Sequence, residues 1–145
     1  MIKIICVGKI KEKYLTDLIN DYKLRISKYH KLEIIELKDS DIEKESSEII
    51  NSVKQSDYNV LLDINGEEFT SIEFSKFIDE VFTNINGTIT FIIGGSNGVN
   101  ENVKKIVQKR ISFSSLTFPH GLFRGILLEQ IYRAFKIQNN ESYHK

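Results

Sequence analysis

The chain has no tryptophan, one cysteine, one proline and one methionine in 145 residues. A lone cysteine, Cys6, excludes an internal disulfide and a cysteine-based metal cluster. Its place in an apolar, strand-like run makes it a buried inert thiol rather than a nucleophile. The single proline, Pro119, forbids helix continuation there and biases Phe118 to extended geometry. No apolar run approaches the roughly 20 residues that a membrane span needs. The N-terminal run MIKIICV is too short for a signal peptide and is followed by lysines rather than a small-residue cleavage site, so the cytoplasm is the expected compartment. Three well-separated histidines without a carboxylate pattern give no metal site. No Ser-His-Asp arrangement can be recognised from the sequence.

Net charge is zero, which by itself argues neither for nor against a nucleic-acid partner. The distribution says more. Residues 1–38 carry nine Lys/Arg against five Asp/Glu, a balance of +4; residues 39–101 carry three against thirteen, −10; residues 102–145 carry eight against two, +6. If the two basic ends meet in space they form a positive face of the kind that engages phosphates; solvated helix faces that happen to segregate are the plain alternative. The acidic middle has no functional reading at this level.

A chain of this length is read as one domain, residues 1–145, large enough for a continuous core. Strand-like runs at Ile2–Val7, Leu32–Leu37, Tyr58–Ile64, Thr88–Ile93 and Ser112–Thr117 alternate with helical patterns. These span Tyr14–Ser27 (Leu15, Leu18, Ile19, Tyr22 and Ile26 on one face) and an acidic stretch with Ile42, Ile49, Ile50 and Val53 on one side. A third helix, capped by Thr70 or Ser71 with Glu73, buries Ile72, Phe74, Phe77, Ile78 and Val81. Asn100–Arg110 and Gly121–Lys136 complete the series. The order βαβαβαβαβα predicts an α/β fold, a mostly parallel sheet with helices on both faces. NGEEF reads as a turn, His30 as a surface residue, and the polar tail QNNESYHK as flexible or partner-ordered.

Two loops at the carboxyl ends of neighbouring strands attract attention, because an open α/β sheet places its ligand there. GGSNG (Gly94–Gly98) lets backbone approach a ligand closely, yet it is neither GxGxxG nor a Walker loop, and a plain tight turn is the alternative. In SFSSLTFPHG (Ser112–Gly121) small hydroxyl residues alternate with Phe113, Leu116 and Phe118; backbone polar groups beside apolar side chains suit an adenine ring, although an edge strand leading into a helix reads the same. His120 is a base, an orienting donor or a helix-start residue. Arg124 and Arg133 on the last helix either pair with Glu129 or face solvent. Gln130 and Tyr132 are further candidates for a pocket lining.

VGKIKEKY, LLDINGE, IGGSNG, SFSSLTFPH, LLEQIYRAFKI and ESYHK, in that order from end to end, resemble the ribosomal RNA large subunit methyltransferase H family. The chain is shorter than is typical around residues 38–56. The resemblance implies a SPOUT-class enzyme with a C-terminal trefoil knot, acting as a homodimer with sites near the subunit interface. It implies S-adenosyl-L-methionine as methyl donor, no metal, and N3 of a pseudouridine in 23S ribosomal RNA, on an assembled ribosome, as acceptor. Carried over by position, the cofactor contacts fall at Leu62, Gly94, Phe113, Ser114, Ser115, Leu116, Thr117 and Phe118, with Leu62 and Leu116 walling the adenine. For catalysis, Arg124 or Arg133 is expected to favour the imidate anion, and His144, supported by Tyr143, to take the proton. The competing readings are a tRNA methyltransferase of the same class, a non-catalytic ribosome-binding factor, and a nicotinamide-dependent oxidoreductase. The last is disfavoured by VGKIKEK standing where GxGxxG belongs.

Overall fold

The computed structural model describes all residues, Met1–Lys145. Five strands, β1 (Ile2–Val7), β2 (Leu32–Leu37), β3 (Tyr58–Glu68), β4 (Ile89–Ile93) and β5 (Lys109–Ser112), alternate with α1 (Lys13–Ile26), α2 (Ile42–Ser52), α3 (Ser71–Asn84), α4 (Glu101–Ile106) and α5 (His120–Gln138). The sheet order is β2-β1-β4-β3-β5, and every pairing is parallel. The mostly parallel sheet that the sequence predicts is therefore parallel throughout.

Alternation along the strands sorts the side chains into two layers. Ile2, Ile4, Cys6, Val60, Ile89, Phe91 and Ile93 face α1, α3 and α5 in the larger core. Ile5, Val7, Leu61 and Ile92 face α2 and α4 in the smaller one. Both faces of the central strands are buried, which is why β1 and β4 read as near-continuous apolar runs, interrupted only by the buried Lys3 and Thr90. Cys6 lies fully buried in the larger core, and burial pushes its thiol up to about 11, so it stays protonated and inert.

Local chemistry fixes the helix starts. Asp41 accepts the Lys44 amide at 2.8 Å ahead of α2, and Thr70 with Glu73 forms a reciprocal capping box ahead of α3. Asn100 accepts the amides of Asn102 and Val103 and starts α4.

Several boundaries differ from the sequence expectation. α4 stops at Ile106 rather than Arg110, because the Gln108 amide and side chain both bond the backbone of Asn59 and draw the chain to the sheet. β5 consequently occupies Lys109–Ser112, and the run expected as a strand, Ser112–Thr117, is mostly loop. β3 continues through NGEE instead of turning: past a bulge after Leu62, Glu67 and Glu68 pair with Ile111 and Ser112. Gly66 lies so close to Arg110 and Ile111 that a Cβ would stand 2.7 Å from their backbone atoms. Ile72, in the first turn of α3, is 52% exposed rather than buried. His30 is not a surface residue: it stacks on Phe82 at 4.4 Å and on Phe135 at 5.0 Å, and burial, followed by the nearby N-terminal ammonium, lowers its pKa.

β5 sits at the sheet edge beside β3, yet α5 packs between α1 and α3 in the helical layer. Residues 113–119 must therefore carry the chain from that edge across the carboxyl ends of the strands. That crossing builds the cleft.

Candidate active site

The cleft, about 350 Å³, opens at the carboxyl ends of β3, β4 and β5. Seven of the eight positions carried over as cofactor contacts line it: Leu62, Gly94, Phe113, Ser114, Leu116, Thr117 and Phe118; Ser115 does not border it. The crossing loop is shaped by its own side chains. The Ser112 hydroxyl donates to the Ser114 carbonyl at 3.1 Å, and the Leu116 amide donates to the Ser114 hydroxyl at 3.0 Å. Such local bonds offer the backbone an alternative to a strand ladder. Phe113 meets Phe74 and Phe123 edge-on at 5.5 Å each, and Phe118 stacks on Phe123 at 6.0 Å. The loop is thus anchored by its phenylalanines, while Leu116 projects into the cleft 71% exposed. An apolar side chain held out in this way is a wall for an apolar ligand face.

The opposite wall is the glycine loop. Gly98 adopts φ +76, which only glycine takes without strain, and a Cβ on Gly94 would stand 2.8 Å from Val99 Cγ1. Beneath the loop lies the start of the acidic helix α2. The buried Glu45 carboxylate sits where a Cβ on Gly95 would go, and the Ser46 hydroxyl accepts the Asn100 amide at 3.0 Å. The acidic middle, which the sequence leaves without a role, therefore braces this loop from below. Ile64, Lys104, His120 and Phe123 also line the cleft. Of these, only His120 carried a sequence signal, its place beside Pro119.

A second polar cluster lies further along α5. Glu129 Oε1 accepts from Arg133 Nε at 3.0 Å, from Arg133 Nη2 at 2.5 Å and from the Tyr143 hydroxyl at 3.1 Å; Glu129 Oε2 accepts from Gln130 Nε2 at 2.9 Å. Arg133 Nη1 stands 3.1 Å from His144 Nδ1. Burial pushes the Tyr143 hydroxyl above its ordinary range, and Tyr22 and Glu129 add to the shift. The tail expected to be flexible is docked: Tyr143 packs edge-on against Tyr132 at 4.9 Å, and Glu141 accepts from Tyr29 at 2.7 Å and from Lys136 at 2.9 Å. Tyr29 lies 112 positions before Glu141, and Tyr132 and Lys136 belong to the preceding helix, so the composition of the tail itself carries no hint of them.

The two arginines part company. Arg133 pairs with Glu129, one of the two fates expected for it. Arg124 neither pairs with Glu129 nor faces solvent: it is 3% exposed, donates to Glu36 Oε2 at 2.5 Å and to the Gly8 carbonyl at 3.1 Å, and leaves its Nε without a partner. It clamps the basic loop after β1 to the start of α5. Removing its counter-ion should strand a buried cation, so Glu36→Ala is expected to destabilise by about 3 kcal/mol, roughly 10 °C in Tm. Urea and thermal unfolding would measure it, and a loss under about 0.5 kcal/mol, the ordinary surface value, would contradict the clamp.

Residues 1–144 match the family described as "Predicted SPOUT methyltransferase". Over 157 aligned positions the chain is 46% identical to a ribosomal RNA large subunit methyltransferase H of Clostridium acetobutylicum, covering 99% of each chain. Over 153 positions it is 48% identical to the protein of that name from Fusobacterium nucleatum, again covering 99% of each. Among solved structures it resembles a tRNA (m1G37) methyltransferase from Aquifex aeolicus, with TM-score 0.51 and 17% identity over 91% of this chain and 69% of that one. The SpoU methyltransferase AviRb from Streptomyces viridochromogenes gives TM-score 0.52 and 10% identity over 98% and 62%. At those identities the likeness is one of fold.

Proposed function

Because this chain belongs to the SPOUT methyltransferase family, and within it to the ribosomal RNA large subunit methyltransferase H family, we propose that it methylates ribosomal RNA with S-adenosyl-L-methionine held in the cleft between the glycine loop and the crossing loop. The fold is of the trefoil-knot class of that family. The observation that carries the reading is the cleft itself: apolar walls at Leu62 and Leu116 face backbone from Gly94 and Phe113–Phe118, the combination that holds a nucleoside. Its volume, about 350 Å³, lies in the range of pockets for ligands of that size.

When bound, S-adenosyl-L-methionine supplies a methyl already activated on a sulfonium, so the chain's own work is alignment, exclusion of water and management of one proton. The acceptor we assign is N3 of a pseudouridine in 23S ribosomal RNA, an imide nitrogen that must lose its proton. To that step we assign Arg133 with Tyr143 and His144, which stand together at the tail; Arg124 serves by holding the loop after β1. Ten residues separate Phe123, in the cleft, from Arg133, about 15 Å along α5, so one subunit's tail cluster stands off its own cleft. We therefore assign the active form to a homodimer in which the tail of one single-domain subunit, residues 1–145, completes the cleft of the other. The assigned compartment is the cytoplasm, where ribosomes are.

α1 and α5 pack side by side, which sets Lys23 and Arg25 on the same helical layer as Arg133 and Lys136, a basic surface of the kind RNA binding uses, whereas Lys104, Lys105, Lys109 and Arg110 lie apart from it on α4 and β5. The test is transfer of labelled methyl to intact ribosomes, free 23S RNA and bulk tRNA over a salt series. Ribosomes are expected to be the best acceptor, with binding that weakens steeply as salt rises. Labelling of tRNA instead would move the enzyme to another substrate of its class, and no labelling with retained ribosome binding would make it a non-catalytic factor.

A further inference from the structure

The arrangement of the tail constrains what His144 is able to do. A guanidinium has only donors, so the 3.1 Å contact between Arg133 Nη1 and His144 Nδ1 makes Nδ1 the acceptor. A neutral imidazole with its lone pair at Nδ1 carries its proton on Nε2. In this exposed residue Nε2 is the nitrogen left for a substrate, and it offers N–H, not a lone pair. Glu129 sets this up. Its Oε1 takes both Nε and Nη2 of Arg133, which leaves Nη1 as the arm that reaches His144. The same oxygen holds the Tyr143 hydroxyl proton, and the Arg133 guanidinium lies 4.8 Å over the Tyr143 ring. The charged and titratable groups that meet the tail here are Glu129, Tyr132 and Arg133 from α5, Tyr22 from α1, and Tyr143 from the tail itself.

We propose that His144 acts as a hydrogen-bond donor through Nε2–H rather than as the proton acceptor, and that Glu129 is the positioning residue that imposes this tautomer through Arg133. This rests on the methyltransferase reading. An imide that loses its proton spreads negative charge over the two carbonyl oxygens flanking the nitrogen. A guanidinium and an imidazole N–H side by side match that charge, in the manner of an oxyanion hole. The imide proton passes to solvent water before the site closes over the two reactants; the electron pair stays on the nitrogen, which then takes the methyl as the S–CH3 bond breaks and its electrons remain on sulfur, leaving a neutral thioether. A neutral His144 could act as base only by giving up Arg133.

The experiment has two arms. Imidazole nitrogen shifts of the free protein read the tautomer directly: wild type is expected to show His144 as the Nε2–H form, and Glu129→Gln to lose that preference. A predominantly Nδ1–H form in wild type would overturn the proposal whether or not the protein methylates anything. In the second arm, His144→Gln, which keeps a donor but cannot titrate, is expected within about tenfold of wild-type kcat, and His144→Ala at least about a hundredfold down, the usual loss for one such donor. Methyl-donor affinity should be unchanged in both. Equal inactivity of the Gln and Ala variants would overturn the donor role. Absence of methyl transfer by wild type would instead defeat the methyltransferase reading, while the nitrogen shifts would still decide the tautomer.

Discussion

Titration with S-adenosyl-L-methionine is expected to show saturable binding, and titration with NAD none, because the loop after β1 is VGKIKEK and lacks the glycine spacing that seats a dinucleotide pyrophosphate. The largest single loss should come from Gly94→Trp. Even a methyl at that position would stand 2.8 Å from Val99 Cγ1 and 3.2 Å from the Gly98 backbone, so an indole must leave through the cleft or displace the loop. Binding is expected to fall below detection. Since the displaced loop also rests on Glu45 and Ser46, the thermal midpoint must be recorded with it. Leu116→Ala separates the two effects. That side chain is 71% exposed in the free protein, so its removal leaves the fold alone. With ligand bound it becomes an apolar wall, and deleting it should cost about 1.5 kcal/mol, roughly tenfold in Kd. Ser115→Ala, outside the cleft, should change Kd less than about twofold. Unaltered affinity in Leu116→Ala would remove the methyl donor from this cleft.

Complementation between two dead variants should give the other large effect. Gly94→Trp has a ruined cleft and an intact tail; His144→Ala has the reverse. If each tail serves the partner's cleft, a mixed dimer contains one site built wholly from intact parts. Random assembly at equal amounts makes about half the dimers mixed, so co-expression should restore about one quarter of wild-type activity from two nearly inactive proteins. If each tail serves its own cleft, no intact site exists in any combination and activity stays at the floor. The roughly 15 Å between Phe123 and Arg133 along α5 is the reason to expect recovery. Failure to recover activity, with heterodimers verified by differential tags, would place the tail's action in its own subunit.

Much of the scaffold was legible because its signals are local. The spacing of Leu15, Ile19 and Ile26 defines α1, the Thr70–Glu73 pair defines the start of α3, and the apolar runs define β1 and β4. The glycine loop and the serine-rich segment were identifiable as candidate ligand loops from their place after strands, and both line the cleft. Their assignment to a methyl donor came from the family resemblance, not from periodicity. What escaped was whatever depends on distant partners. Ser112–Thr117 has the composition of a strand, but Ser112 and Ser114 satisfy the backbone locally, and β5 forms earlier, where Gln108 meets Asn59. NGEE has the composition of a turn, but Ile111 and Ser112 recruit it as strand. Arg124 looks like a solvent-facing helix residue until Glu36, 88 positions earlier, arrives beside it. The tail looks disordered because Tyr22, Tyr29 and Tyr132, which hold it, are invisible from its own composition.

The passage of α5 between α1 and α3 sets an order of events in the life of the chain. The last helix joins α1, made near the start of synthesis, and the edge strand before it joins β3, so the native contacts of highest sequence separation close last. Such closure carries a loop-entropy cost that local contacts cannot offset, and it slows folding. The crossing loop and the docked tail rest on α1, α3 and the turn after α1, all made earlier. The cleft is therefore the last part of the fold to be completed, and a chain whose helices and central strands have already formed still lacks one wall of its ligand site.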